Sequence, residues 1–63
     1  MEKSIIKERL RQLQAVDVNA FAIYSELAKS AQDIRQQEIF SAIAKDEKRH
    51  VALGKELLLL LED

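Results

Sequence analysis

Across 63 residues the chain has no proline and a single glycine, Gly54. Proline and glycine are the residues that most often end or weaken a helix. With almost none present, helices can run as far as side-chain patterning supports them. The predicted fold class is all-α, and what remains is the number of helices and the purpose of each face.

From Ser4 to about Ser30, a step of about 100° per residue gathers Ile6, Leu10, Leu13, Ala20, Phe21, Tyr24, Leu27 and Ala28 on one side. Lys7, Glu8, Arg11, Asn19, Glu26 and Lys29 fall on the other. From Ile34 to about Leu61 the same operation groups Phe40, Ile43, Ala44, Val51, Gly54, Leu57, Leu58 and Leu61, opposite Glu38, Ser41, Lys45, Lys48 and Glu56. In one continuous helix these two apolar faces would be out of phase by about 120°, so the pattern breaks between them. Asp33 is a good N-cap, with Gln36 at capping-box spacing. The predicted unit is therefore one antiparallel hairpin: helix 4–30, turn 30–33, helix 34–61, with no internal linker.

A chain this short buries little apolar surface, and small scaffolds usually recruit a disulfide, a structural metal or a second subunit. There is no cysteine, which removes the first option along with thiolate zinc sites and iron–sulfur clusters. It also leaves the cytoplasm as the expected compartment. The longest apolar run, Leu57 to Leu61, is far short of the roughly 20 residues of a membrane span, and the first residues lack the apolar core of a signal peptide. Net charge is -1 with both signs interspersed, so neither nucleic acid nor an anionic membrane is expected as a partner. A homodimer is expected, because a lone hairpin leaves one apolar face in water. The last turn, apolar on all sides, suggests a further contact surface and a higher homo-oligomer.

Three ionisable residues occupy apolar positions. Asp17 lies among Leu10, Leu13, Phe21 and Tyr24; Glu47 lies among Phe40, Ile43, Val51 and Gly54, with His50 one turn later on the same face. If the hairpin turns at about Gln32, Asp17 and Glu47 are equidistant from it and come to the same height. A two-fold axis through the middle of the helices would then bring two such clusters together, giving four carboxylates and two imidazoles in a four-helix core. Crowded, buried carboxylates are tolerated only when protonated or neutralised by cations. Carboxylate and imidazole donors suit iron, with manganese or zinc as alternatives.

The stretch Asp17-Val-Asn-Ala20-Phe-Ala-Ile-Tyr24-Ser-Glu-Leu27-Ala28, followed by Phe40-Ser-Ala-Ile43-Ala44-Lys-Asp46-Glu47-Lys-Arg-His50, resembles the ferritin-like superfamily, particularly rubrerythrins and encapsulated ferritins. Their patterns there are Glu-x-x-Ala-x-x-x-Tyr-x-x-Leu-Ala and Phe-x-x-Ile-Ala-x-x-Glu-x-x-His. The resemblance implies half of a di-iron four-helix bundle, completed by a second copy. It implies Glu47 as the carboxylate bridging two metals, His50 as a terminal imidazole ligand and Asp17 as the terminal carboxylate. Asp17 departs from the family's Glu by one methylene. Also implied are two irons per dimer, oxidation of Fe(II) by O2 or H2O2 in ferroxidase or peroxidase fashion, and an electron-donor or shell protein as a further partner.

Other readings stand beside these. Asp17, Glu47 and His50 could form a polar network that fixes helix register without metal. Tyr24 could bond a ligand carboxylate or any other core acceptor. Asp46 could orient an imidazole or be solvated, and Glu26 reads as surface. A metal-free hairpin dimer acting as an interaction or RNA-binding module, through Lys3, Lys7 and Arg11, is the alternative function.

Overall fold

A computed structural model describes residues 2 to 62. It contains two helices, α1 over Lys3–Ser30 and α2 over Ile34–Leu60, and no strand among the described residues. One continuous helix of this length would extend about 90 Å at 1.5 Å per residue. The molecule measures 47 × 14 × 14 Å, the dimensions of two helices folded back on each other.

The link needs no glycine because it never enters left-handed backbone. No described residue has positive φ. Ala31 leaves α1 in extended conformation (φ -66°, ψ 133°), its N–H still bonded to the Leu27 carbonyl. Asp33 caps α2 by accepting from the Arg35 N–H at 2.8 Å, relieving one of the unpaired amides of a helix start. The reciprocal bond that a capping box would draw from Gln36 is absent among the described residues. Instead the Gln37 side-chain amide donates back to the Ala31 carbonyl at 2.6 Å, tying the turn to the first turn of α2.

Across the hairpin, Tyr24 meets Phe40 with ring centroids 6.3 Å apart, and Asp17 meets Glu47. Both pairs are symmetric about Gln32, so the antiparallel register holds over this length. The seam is formed by Leu10, Gln14, Asp17, Phe21, Tyr24 and Ala28 of α1 against Phe40, Ala44, Glu47, Val51, Gly54 and Leu58 of α2, all buried or half-buried. These positions alternate steps of three and four, the knobs-into-holes pattern.

Each helix carries a second stripe of the same period. On α1 it runs Leu13, Val16, Ala20, Ile23, Leu27; on α2 it runs Ile39, Ile43, Asp46, His50, Leu53, Leu57, Leu60. Each is displaced from its seam by roughly 110° about its own axis, in the same rotational sense. Because the helices run in opposite directions, equal rotations carry both stripes to the same side of the hairpin. One groove there is lined by Leu10 and Leu13 of α1 together with His50, Leu53 and Leu57 of α2. Leu13, Leu27 and Leu57, expected to share the buried face, belong to this second stripe and are exposed, Leu13 by 59%. Among the described residues Ala44 alone is buried, at 7% exposure, and no helix is long and apolar enough to cross a membrane.

Candidate metal centre

Asp17, Glu47 and His50 converge at mid-height. Each offers one ligand atom, and these atoms lie within 4.8 Å of one another. The spacing is a consequence of helix geometry: Glu47 and His50 are three residues apart on α2 and therefore neighbours on its surface, while the equal arms of the hairpin bring Asp17 opposite. Asp17 and Glu47 are half-buried in the seam, whereas His50 is exposed on the second stripe. The expectation that all three point into the interior thus holds for the carboxylates and not for the imidazole. His50 looks out from the hairpin over the apolar groove.

Glu47 carries the electrostatic strain. Its Oε2 is shielded from water and has no hydrogen-bond partner. Its pKa is raised from the ordinary 4.5, chiefly by loss of solvent, then by hydrogen bonding and charge repulsion from Asp17; His50 opposes these with a smaller effect, and the Asp46 charge adds a still smaller rise. Among the described residues no lysine or arginine is paired with Asp17 or Glu47; Lys29 and Glu26 form a bridge at the surface, at 3.7 Å. Two facing carboxylates can share one proton or one cation, and nothing in the seam supplies the cation.

The neighbouring candidates fall differently. Tyr24 packs its ring on Phe40, and its hydroxyl makes no hydrogen bond to a ligand carboxylate among the described residues. Asp46 is exposed on the second stripe next to the site. Glu26 is at the surface with Lys29. Lys3, Lys7 and Arg11 lie in the first turns of α1, well away from the centre.

One contributor escaped the sequence reading. Gln14, one turn before Asp17, is half-buried in the seam and donates from Nε2 to the Val51 carbonyl at 3.1 Å. It lines the same groove as Asp17 and His50. Its signal in the sequence lay on the opposite helix, in the single mid-helix glycine, Gly54, which faces it.

An orphaned, half-buried carboxylate, a second carboxylate and an imidazole make a hard-to-borderline donor set with open valence, so the residues present fit a divalent transition metal. Comparison with protein-family models, curated proteins and solved structures found no match for the chain.

Proposed function

We propose that this hairpin is half of a ferritin-like di-iron carboxylate protein, completed when a second copy covers the open face. The observation that carries the reading is the convergence of Asp17, Glu47 and His50 within 4.8 Å around an unsatisfied Glu47 oxygen. A register-fixing polar network would be expected to satisfy its buried acceptors; this one leaves one of them open.

Surface area supports the second copy. The hairpin exposes 5094 Å², while a compact monomer of 7.2 kDa exposes about 4,100 Å². The surplus of roughly 1,000 Å² is close to the ~800 Å² per partner that a standard interface buries. Eight of the twelve exposed large hydrophobic side chains among the described residues lie in the two stripes on the open side, the arrangement a helix needs when it touches two neighbours.

Two copies facing each other would assemble Asp17, Glu47 and His50 from both chains, four carboxylates and two imidazoles, around two irons per dimer. Bound iron would supply electron exchange with O2 or H2O2. The chain supplies the rest. Glu47, whose Oε2 is unpaired beside Asp17, would hold metal from α2. Asp17 would close the site from α1, and His50 would present its imidazole from the open side. Phe40 and Tyr24 on the turn side, with Leu10 and Leu13 on the other, limit water around the carboxylates.

Anaerobic titration of chelator-free protein with Fe(II), read together with sedimentation, tests the proposal. Saturation at about one iron per chain on a dimer is expected, followed by oxidation when O2 or H2O2 is admitted. A dimer that binds no iron, manganese or zinc in stoichiometric amount would sink the reading and leave the metal-free interaction module in its place.

A further inference from the structure

The single glycine stands where helix propensity argues against it. Gly54 is in the interior of α2, six residues before its end, and glycine is among the worst formers of helix interiors. Its φ is not positive, so the backbone does not require it. The space beside it does. A Cβ built on Gly54 would stand 3.0 Å from Gln14 Cγ, 3.4 Å from its Nε2 and 3.5 Å from its Cδ. The Gln14 side chain therefore lies flat across α2 at the position that a side chain at residue 54 would fill. From there its Nε2 reaches the Val51 carbonyl at 3.1 Å.

These two observations are independent, one steric and one polar, and they describe one contact. Its place matters. Gln14 is one turn from Asp17 on α1, and Gly54 is one turn from His50 on α2; the contact is the next layer of the seam after the ligand layer. A hydrogen bond from one helix to the main chain of the other has a fixed height, unlike leucine packing, which tolerates sliding and rotation. Here it is seated in a notch where a Cβ at residue 54 would press on Gln14 Cγ at 3.0 Å.

We infer that Gln14 and Gly54 form a register lock that holds Asp17 of α1 opposite Glu47 and His50 of α2 before any metal arrives, making Gln14 a positioning residue for the proposed metal centre. The inference rests on the metal reading for its purpose, though the lock itself can be tested without metal. Gln14 needs no contact with metal for this. A small rotation of α1 or a shift along its axis would move the Asp17 carboxylate away from Glu47, and bonds of about 2 Å to a transition metal tolerate little displacement.

Gly54→Ala, Gln14→Ala and the double variant, with wild type, form a cycle. The first readout is thermal melting of the metal-free protein. Alanine is the better helix former, so without a lock Gly54→Ala raises Tm by a few degrees in either background. With the lock, the added Cβ pushes Gln14 Cγ away and carries its amide off Val51. Gly54→Ala then lowers Tm or leaves it level in the wild type, yet raises it in the Gln14→Ala background, where the Gln14 atoms that the Cβ would crowd are gone. Additive shifts overturn the lock whether or not metal binds.

The second readout is affinity for Co(II) or Fe(II) by competition with a chromophoric chelator, with helix content followed in parallel. Each single variant should bind 10- to 100-fold more weakly at unchanged helix content, the range found when groups supporting a ligand are removed, and the double variant should be no worse than Gln14→Ala. Wild-type affinity in both single variants overturns the positioning role and leaves the metal centre standing. Failure of wild type itself to bind overturns the metal reading, while the melting cycle still decides the lock.

Discussion

The two long faces of the hairpin are made from the same two helices and expose similar apolar side chains, yet they carry different chemistry. On the open face Leu53 is 47% exposed; on the opposite face Val18 is 52% exposed. Leu53 belongs to a stripe that repeats every three or four residues along α2 and is matched by Leu13, Val16 and Ile23 on α1. Val18 sits alone beside Phe21, in a groove whose α2 side is Lys48, Val51, Ala52 and Lys55. Long flexible cations can cover such a strip with their own methylenes and keep their charge in water. Exposure does not separate the two faces; the sustained three-and-four period of the apolar stripe does. The open face also carries His50 and Asp46 in its apolar stripe, the placement to expect if a partner completes a polar site there.

The sharpest way to break this comparison is to put the same charge on each face. Leu53→Glu should weaken self-association at least about 100-fold, because a carboxylate buried without a partner costs several kcal/mol, while Val18→Glu should leave it unchanged. Sedimentation equilibrium on the two variants decides, and equal losses would mean the faces are not distinct.

Next in size is His50→Ala. Removing an exposed ligand should lower metal affinity by about 100-fold or more with no loss of helix content in the metal-free protein. Isothermal titration with parallel circular dichroism would show it, and undiminished affinity would return His50 to the role of an ordinary surface histidine.

Smaller, and opposite in sign for the two states, is Glu47→Gln. The folded state raises the Glu47 pKa above 4.5, so it binds the proton more tightly than the unfolded chain does. The resulting stabilisation is full below that ordinary value and is lost as pH rises through the folded-state pKa. Metal-free wild type should therefore lose Tm, relative to Glu47→Gln, as pH rises above the ordinary 4.5. At neutral pH the metal-free variant should melt at the same temperature as wild type or higher, and added metal should stabilise wild type alone. A variant that melts lower at pH 7 and responds to metal as wild type does would contradict the site.

The smallest expected effect belongs to the turn, which both faces share. Asp33→Ala removes the cap on Arg35 and should cost about 1 kcal/mol, a few degrees of Tm, with dimer and metal affinities altered only through stability. A selective loss of metal binding would instead tie the turn to the site.

Much of this was legible in the sequence, for reasons that can be named. The turn could be placed because the apolar faces fall out of phase and Asp33 is a strong cap. Asp17 and Glu47 could be paired because equal arms about Gln32 put them at one height. The second stripes were not separated, since a single mean direction at 100° per residue merges two bands about 110° apart into one broad face. That is why Leu13, Leu27 and Leu57 were assigned to the seam and why His50 was expected inside. The capping-box spacing pointed to Gln36 alone, because cap spacing predicts which amide is free, and not which carbonyl across the turn, here Ala31, will capture a side chain, here that of Gln37. Gln14 has no local signature; its meaning lies in a glycine on the other helix.

The arms of equal length have a consequence for how the sequence could vary. The candidate ligands are located by counting outward from Gln32 in the turn, fifteen residues to Asp17 and fifteen to Glu47. One residue inserted between the turn and either ligand would advance that ligand by about 1.5 Å and swing it by about 100°, out of reach of the other. Insertions beyond Leu10 or Leu58, toward the far end, would leave the count intact. The hairpin is thus rigid in its grammar on the turn side of the site and permissive on the other, and lineages of such chains should differ in length chiefly at the end where Ile5, Leu59 and Leu60 lie exposed.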